Sequence, residues 1–331
     1  MIKEIQNQVE WDTLVANCGG HSLQIWGWGE LKNQHGPWTP YRLAIGQGNK
    51  IIGGAQILAR KMPKPFKQMF YIPRGPFCSE ENRDKVLQEL TDWAKNHRGV
   101  ELKIEPDWPE MKHWPTGWRH SKNRILVPKT ALINLTQTTD EILVAMAKKT
   151  RQYIRKSENS GIMVRRITSK KDIAKCLEIY RNTADQRKFG LHDDNYYYDL
   201  ARLAGDANAI YLAGKDGQPL SFLWNLRTEA TEFELYGGVN RAGQELRSNY
   251  CLKWHAITEA KTAGIGIYDM NGLLNDGISN FKRSFTGSET EWAGTWDAPL
   301  SPLYHIWETA LPVAKKSVQT FNKLRRNGHN D

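Results

Sequence analysis

Several things are scarce in this chain of 331 residues. Its four cysteines, Cys18, Cys78, Cys176 and Cys251, lie far apart, with no C-x-x-C pair. That spacing argues against zinc, and reduced, buried thiols fit a cytoplasmic chain. No run approaches the ~18 apolar residues that a membrane span needs. The first twenty residues carry Glu4, Glu10 and Asp12 and lack an apolar segment, which argues against a signal peptide. Acids are outnumbered, 36 against 46 lysines and arginines, for a net charge of +10. Such a surplus favours polyanionic partners: nucleic acid, pyrophosphate groups or an anionic membrane face. Tryptophan, by contrast, is plentiful at thirteen. Trp26, Trp28, Trp38, Trp108, Trp114 and Trp118 sit in polar surroundings, either as core filler or as pocket walls for sugars and bases.

The length implies two domains, and the pattern repeats accordingly. Two strands at 41–45 and 50–58 flank a turn, a third at Gln68–Ile72 ends in Pro73-Arg74-Gly75-Pro76, and a helix at 81–97 leads to a strand at 100–104. The second half reads likewise: strands at 210–214 and 219–227, one at Phe233–Tyr236 ending in Gly237-Gly238, a helix at 246–263 and a strand at 265–269. Tyr71 and Glu105 are 34 residues apart, Tyr236 and Asp269 are 33 apart, and the two units are offset by 165. This spacing predicts a duplication of two similar α/β units.

Between the halves one helix is expected over 139–159, capped by Thr138 or Thr139 and closed at Gly161. Ile142, Met146, Lys149 and Tyr153 would form its inner face. Lys148, Arg151 and Arg155 would form a cationic stripe, either a solvated face or a phosphate-tracking surface. A last helix is expected over 303–326, with a cationic end at Lys315, Lys316, Lys323, Arg325 and Arg326.

The richest segment is Tyr268–Phe285, where a strand ends in Asp269 and the chain bends through Gly272 and Gly277. It then delivers Asn280, Phe281, Lys282 and Arg283 together. Glycines at such a bend let backbone approach a ligand closely.

These residues are familiar. The run Met146–Gly161, Tyr236-Gly-Gly-Val239, Ser248–Trp254, Tyr268–Phe285, Leu23–Lys32 and Tyr71–Pro76 together resemble the Fem family (FemA, FemB, FemX), in the family's order and over nearly the whole chain. The resemblance implies an α/β fold of two tandem acetyltransferase-like (GNAT) domains, with mixed sheets flanked by helices. The first would span 1–124, joined by 295–331, and the second 125–294. Larger members insert a coiled-coil arm in the second domain; no sustained heptads occur here, so the compact FemX type is expected.

The implied activity is non-ribosomal peptidyl transfer. An amino acid (glycine, alanine or serine by family precedent) passes from aminoacyl-tRNA to a side-chain amine of the peptidoglycan precursor's stem peptide, the precursor being nucleotide-linked for the compact type or lipid-linked as for larger relatives. Neither metal nor cofactor is expected, and no DNA partner. A cytoplasmic monomer is expected, with a peripheral contact to the inner membrane face left open.

By the same resemblance Lys282 serves the oxyanion or the terminal ribose, and Phe281 packs beside the last nucleotide. Lys32 and Arg187 clamp the precursor's pyrophosphate, although Lys188 and Arg181 compete with Arg187. Tyr71 and Tyr236 are either phenolic donors to the diphosphate or sugar, or core tyrosines. Trp28 and Asn280 complete the substrate set. Glu105 either orients or deprotonates the incoming amine, or anchors its loop. Lys148, Arg151, Arg155 and Arg283 are the tRNA-facing cations.

A coenzyme A acetyltransferase is the rival, and a poor one. The segment Asn240–Asn249 before the second helix holds one glycine and an acid, Glu245, where a phosphate cradle needs free amides. An RNA-binding protein without catalysis would explain the cations but not the Tyr268–Lys282 constellation.

Overall fold

Parallel strands need a crossover of a dozen or more residues, and the chain supplies two. The structure is a computed structural model and describes residues 1–274 and 276–309. Its helices are α1 (Gln8–Asn17), α2 (Trp26–Gln34), α3 (Arg83–Asn96), α4 (Thr139–Ala145), α5 (Lys148–Glu158), α6 (Lys170–Arg187), α7 (Asp194–Ala204), α8 (Arg241–Glu245), α9 (Ser248–Thr262) and α10 (Gly277–Arg283). The first strands are β1 (Ile2–Glu4), β2 (Thr39–Gln47), β3 (Lys50–Lys61), β4 (Gln68–Pro73), β5 (Phe77–Cys78), β6 (Gly99–Glu105) and β7 (Arg119–His120). After them come β8 (Lys129–Thr130), β9 (Leu132–Asn134), β10 (Met163–Arg166), β11 (Asn208–Lys215), β12 (Gln218–Arg227), β13 (Thr231–Val239), β14 (Ile267–Asp269), β15 (Thr290–Glu291) and β16 (Trp296–Pro299).

Two mixed sheets result, in the orders β1-β2-β3-β4-β6-β16-β7 and β10-β11-β12-β13-β14-β9. In the first, α3 joins parallel strands β4 and β6; in the second, α8 and α9 join parallel strands β13 and β14. The β11–β12 hairpin turns at Asp216 (φ 51°) and Gly217 (φ 77°), the pair of positive φ values that a two-residue turn of matching twist requires.

Each sheet buries both faces. On one side of the first sheet Leu43, Ile57, Phe70 and Leu102 meet Leu87 and Leu90 of α3. On one side of the second, Tyr211, Leu223 and Tyr268 meet Leu252, Ala256 and Ile257 of α9. The other face of the second sheet shares a core with Trp11 and Val15 of α1, Trp28 and Leu31 of α2, and Tyr196 and Leu200 of α7. Full burial of each such side chain contributes roughly 1.5–3 kcal/mol, so this shared core couples the two sheets.

The first sheet is completed late in the sequence. Strand β16 enters between β6 and β7. Lys103 of β6, 1% exposed, donates to Asp297 of β16 and to Ser121 Oγ (2.8 Å). The Tyr304 hydroxyl donates to Asp297 (2.9 Å) and the Trp307 indole to Glu101 (2.9 Å). Burial, opposed by Lys103, raises the Glu101 carboxyl to about 7. Residues 304–309 are helical; the rest of the expected C-terminal helix and its cationic end lie outside the described residues.

One expected element breaks. The helix over 139–159 is two helices, because Met146 and Ala147 adopt extended backbone (ψ 151° and 139°). Thr138 caps α4 in a capping box with Glu141. The break resets the inner face to Ile142, Met146, Thr150, Ile154 and Ser157. Lys149 lies outside that face, exposed, and Tyr153 is half-buried.

Candidate functional site

Strand β13 outlives its parallel partner. It pairs with β14 only from Thr231 to Phe233 and runs on to Val239. The strands part beyond that point, and a cleft of about 550 Å³ opens there. A bulge opposite Trp224 and Asn225 leaves Leu235 as an extra residue, since Trp224 pairs Tyr236 and Asn225 pairs Glu234. In a regular strand residues 234 and 236 share a face; the bulge sends them to opposite faces. Glu234 reaches Lys253 on α9 and Tyr268 on β14, while Tyr236 packs into the core shared with α1, α2 and α7. Both line the cleft.

Lys282 enters from α10, whose first turn is capped by Asp276 accepting from Ser279 N (2.8 Å) and Ser279 Oγ (2.7 Å). Its ammonium donates to the carbonyls of Asn271 (3.3 Å) and Gly272 (3.2 Å). Those carbonyls are aimed by a left-handed Asn271 (φ 61°). The Asn271 amide donates to Asp269 (2.7 Å), and its side-chain nitrogen donates to the Glu234 carbonyl (3.1 Å). Gly272 is required by proximity, since a Cβ there would lie 2.8 Å from Val127 Cβ. Burial lowers the Lys282 pKa and Lys253 adds to the shift, while Glu234, Asp269 and Asp276 oppose it.

Phe281 also lines the cleft, edge-on to Tyr250 (5.0 Å) and Phe285 (5.1 Å). Arg187, the last residue of α6, lines it as well. The next residue, Lys188, is left-handed (φ 59°) and turns the chain away.

Lys32 and Trp28 do not line this cleft but connect to it. Lys32 Nζ donates to the Tyr196 hydroxyl (2.8 Å) and sits 4.1 Å over the Trp28 ring, while the Tyr236 hydroxyl donates to that of Tyr196 (3.4 Å). Burial lowers the Lys32 pKa to about 8.

The other expected residues fall elsewhere. Tyr71 is buried and its hydroxyl donates to Glu105 Oε2 (2.5 Å), so its single proton is not free for a diphosphate. Glu105 accepts also from the amides of Ile125 (2.7 Å) and Leu126 (3.0 Å) and from Thr295 Oγ1 (2.6 Å). A carboxylate so fully engaged anchors residues 125–126 and has no vacant lone pair for an amine, which corrects the general-base expectation. Asn280 points out of the cleft and accepts from Arg283 (3.2 Å), which pairs with Glu289. Lys148 and Arg155 are exposed, whereas Arg151 donates to the carbonyls of Leu143 (3.1 Å), Val144 (3.2 Å) and Met146 at the end of α4. Arg151 is therefore a helix cap rather than part of a free stripe.

Sequence reasoning missed Glu234 and Lys253, a nearly buried ion pair that lines the cleft. The signal was present: an acid between buried Phe233 and Leu235, and a lysine between Leu252 and Ala256, are charges inside apolar runs. Such charges persist only when paired. A second, more open depression of about 470 Å³ lies between α6 and α8, lined by Asn182, Asp185, Gln186, Asn240, Arg241 and Ala242. None of the expected site residues lies there.

With this geometry in view, comparison with known proteins is decisive. The sequence profile of the FemAB family matches residues 7–127, 117–221 and 213–311. The chain belongs to the FemAB family. Similar curated FemAB relatives include the lipid II:glycine glycyltransferases of Staphylococcus epidermidis (22% identical, covering 97% of this chain and 98% of the relative) and Staphylococcus aureus (23%, 97% and 99%). Those alignments extend over 413 and 418 positions, more than the length of this chain, so the relatives carry insertions. Among solved structures, a FemX crystal structure superposes with a TM-score of 0.82 at 20% identity, over 93% of this chain and all of that one. A tandem GNAT protein of clavulanic acid biosynthesis gives 0.52 at 11% identity, over 91% of this chain and 99% of that one. The tandem GNAT-like α/β fold is thus established.

Proposed function

We propose that this FemAB protein moves an amino acid, glycine first among glycine, alanine and serine, from aminoacyl-tRNA to the side-chain amine of a peptidoglycan-precursor stem peptide. It is an aminoacyltransferase. The observation that carries the reading is Lys282, an ammonium fixed by two backbone carbonyls in a cleft shared with Arg187, Lys253 and Tyr236.

In aminolysis the acceptor nitrogen attacks the ester carbonyl, the bond to the tRNA ribose oxygen breaks, and the amine's proton passes to that oxygen. A positioned ammonium stabilises the oxyanion between these steps. The amine must be neutral to attack, and a desolvated cleft lined by cations lowers its proton occupancy without a dedicated base. Arg187 suits a phosphate of the precursor, and the Lys32–Tyr196–Tyr236 chain extends donor groups toward the same side. Exposed Lys148 and Arg155 suit the tRNA backbone.

Lipid-linked and nucleotide-linked precursors share the pyrophosphate and the stem peptide; the names of the staphylococcal relatives favour the lipid-linked form. Action in the cytoplasm, as a monomer with peripheral contact to the inner membrane face, fits the charge. It also fits the described residues, where no helix is long and apolar enough to cross a membrane. The pairing of β16 with β6 supports grouping 295–331 with 1–124, and 125–294 as the second domain.

Coenzyme A is disfavoured as donor, since the Gly243 amide before α9 is already taken by Asn240 Oδ1 (2.8 Å). The test is transfer of labelled glycine from charged tRNA to nucleotide-linked and lipid-linked precursors. Product that requires both substrates is expected. No product with glycyl-, alanyl- or seryl-tRNA on either precursor overturns the reading.

A further inference from the structure

Glu234 is the single carboxylate among the described residues that line the cleft; the other charged groups there are Arg187, Lys253 and Lys282. Any aminoacyl donor brings a cation of its own, the α-ammonium, two bonds from the carbonyl under attack. Three cations repel it and one carboxylate attracts it. Oε1 of Glu234 is fixed by Lys253 Nζ and by the Tyr268 hydroxyl (2.9 Å). Oε2 receives no hydrogen bond among the described residues, although the side chain is only 7% exposed. The main chain of the same residue is fixed as well, its carbonyl accepting from Asn271, which in turn holds Lys282. One strand position therefore ties the carboxylate to the lysine assigned to the oxyanion.

We infer that Glu234 is the receptor for the α-ammonium of the amino acid being transferred, holding it through Oε2 so that the adjacent carbonyl lies at Lys282. This rests on the aminoacyl-transfer reading above. The α-nitrogen keeps its proton throughout, and the bonds made and broken are those of the aminolysis already described. Lys253 serves indirectly as a positioning residue, because it pins Oε1 and leaves one oxygen directed at the ligand. The chemical class recognised is a primary α-ammonium, whatever small side chain accompanies it. N-acylated donors and α-hydroxy donors are disfavoured by the same carboxylate, which they cannot pair with as a cation.

The experiment compares two donors built on one tRNA: glycine, and glycolic acid with a hydroxyl in place of the ammonium. Transfer from each is measured for the wild type and for Glu234→Gln. Comparing the donor ratio between enzymes cancels the different reactivities of the esters. The wild-type ratio of kcat/KM should favour glycyl over glycolyl by roughly 10- to 100-fold more than uncatalysed aminolysis does, the scale of one charge-assisted hydrogen bond. In Glu234→Gln the ratio should fall toward the uncatalysed value while glycolyl transfer changes only a few-fold; a general loss of structure would lower both donors alike. An unchanged ratio in Glu234→Gln overturns the inference. If that variant does not fold, a wild-type ratio equal to the uncatalysed one overturns it, and an excess supports it. Failure of the wild type with both donors overturns the transfer reading together with this inference, whereas transfer without amine preference overturns the inference alone.

Discussion

The Lys282 ammonium donates to the carbonyl oxygen of Asn271 at 3.3 Å, and Asn271 presents that oxygen because its backbone is left-handed (φ 61°). The position of Lys282 is thus set by a conformation that most side chains avoid and asparagine tolerates.

Replacing Asn271 separates conformation from contact. Asn271→Ala should lower stability by about 1–2 kcal/mol, through the left-handed backbone alone. Asn271→Gly should recover most of that loss in thermal unfolding. Both variants should turn over more slowly, because both lose the side-chain bond to the Glu234 carbonyl. Full activity of Asn271→Gly would show that backbone geometry alone suffices.

Lys282→Ala should lower kcat by roughly 10²–10³-fold, the scale of losing one oxyanion donor, with little change in precursor affinity. Steady-state kinetics and precursor binding read the two separately. The reverse pattern would move Lys282 into the binding set.

The Lys32 ammonium should supply a pH limit. Burial lowers its pKa to about 8, so its charge, and its attraction for a phosphate, are present below that pH and lost as pH rises through it. KM for the precursor should climb above pH 8, and Lys32→Arg should remove the climb. Stability runs the other way. An unfolded lysine keeps its proton to about 10.4, so between these values the unfolded chain binds more protons and the folded state gains with rising pH.

Glu105→Gln should destabilise the fold by about 3 kcal/mol or more, since an amide nitrogen would face donors that now share a buried carboxylate. The pH profile of kcat in the folded fraction should keep its shape. Loss of the acidic limb, where a carboxylate base would become protonated, would restore Glu105 as the base.

The double change Lys148→Glu and Arg155→Glu should raise KM for charged tRNA and flatten its salt dependence. Arg151→Ala should mainly lower the melting temperature, because its guanidinium caps α4. Equal effects on tRNA from all three would return Arg151 to the phosphate-facing set.

The duplicated strand–helix–strand order was legible because periodicity and glycine turns act locally. Lys282, Phe281, Arg187 and Tyr236, each singled out in the sequence, lie at one cleft, reached from α10, α6 and β13. The break at Met146-Ala147 was not legible, because a capping guanidinium eight residues from Leu143 leaves the helical pattern almost continuous. Tyr71 and Glu105 misled for a related reason. A strand-end tyrosine and acid read the same whether they face a ligand or each other, and only the pairing of β4 with β6 decides it. The bulge that parts Glu234 from Tyr236 depends on the partner strand and leaves no mark in β13 alone.

The late insertion of β16 imposes an order on synthesis. A ribosome has made the whole second sheet, through Asp269, before Asp297 exists. Until then Lys103 lacks the carboxylate it is finally bonded to, and an interior ammonium without that partner opposes closure of the first sheet. The unit begun first at the N-terminus is therefore finished last, and a chain halted just after α10 would hold the residues of its cleft beside an incomplete first sheet.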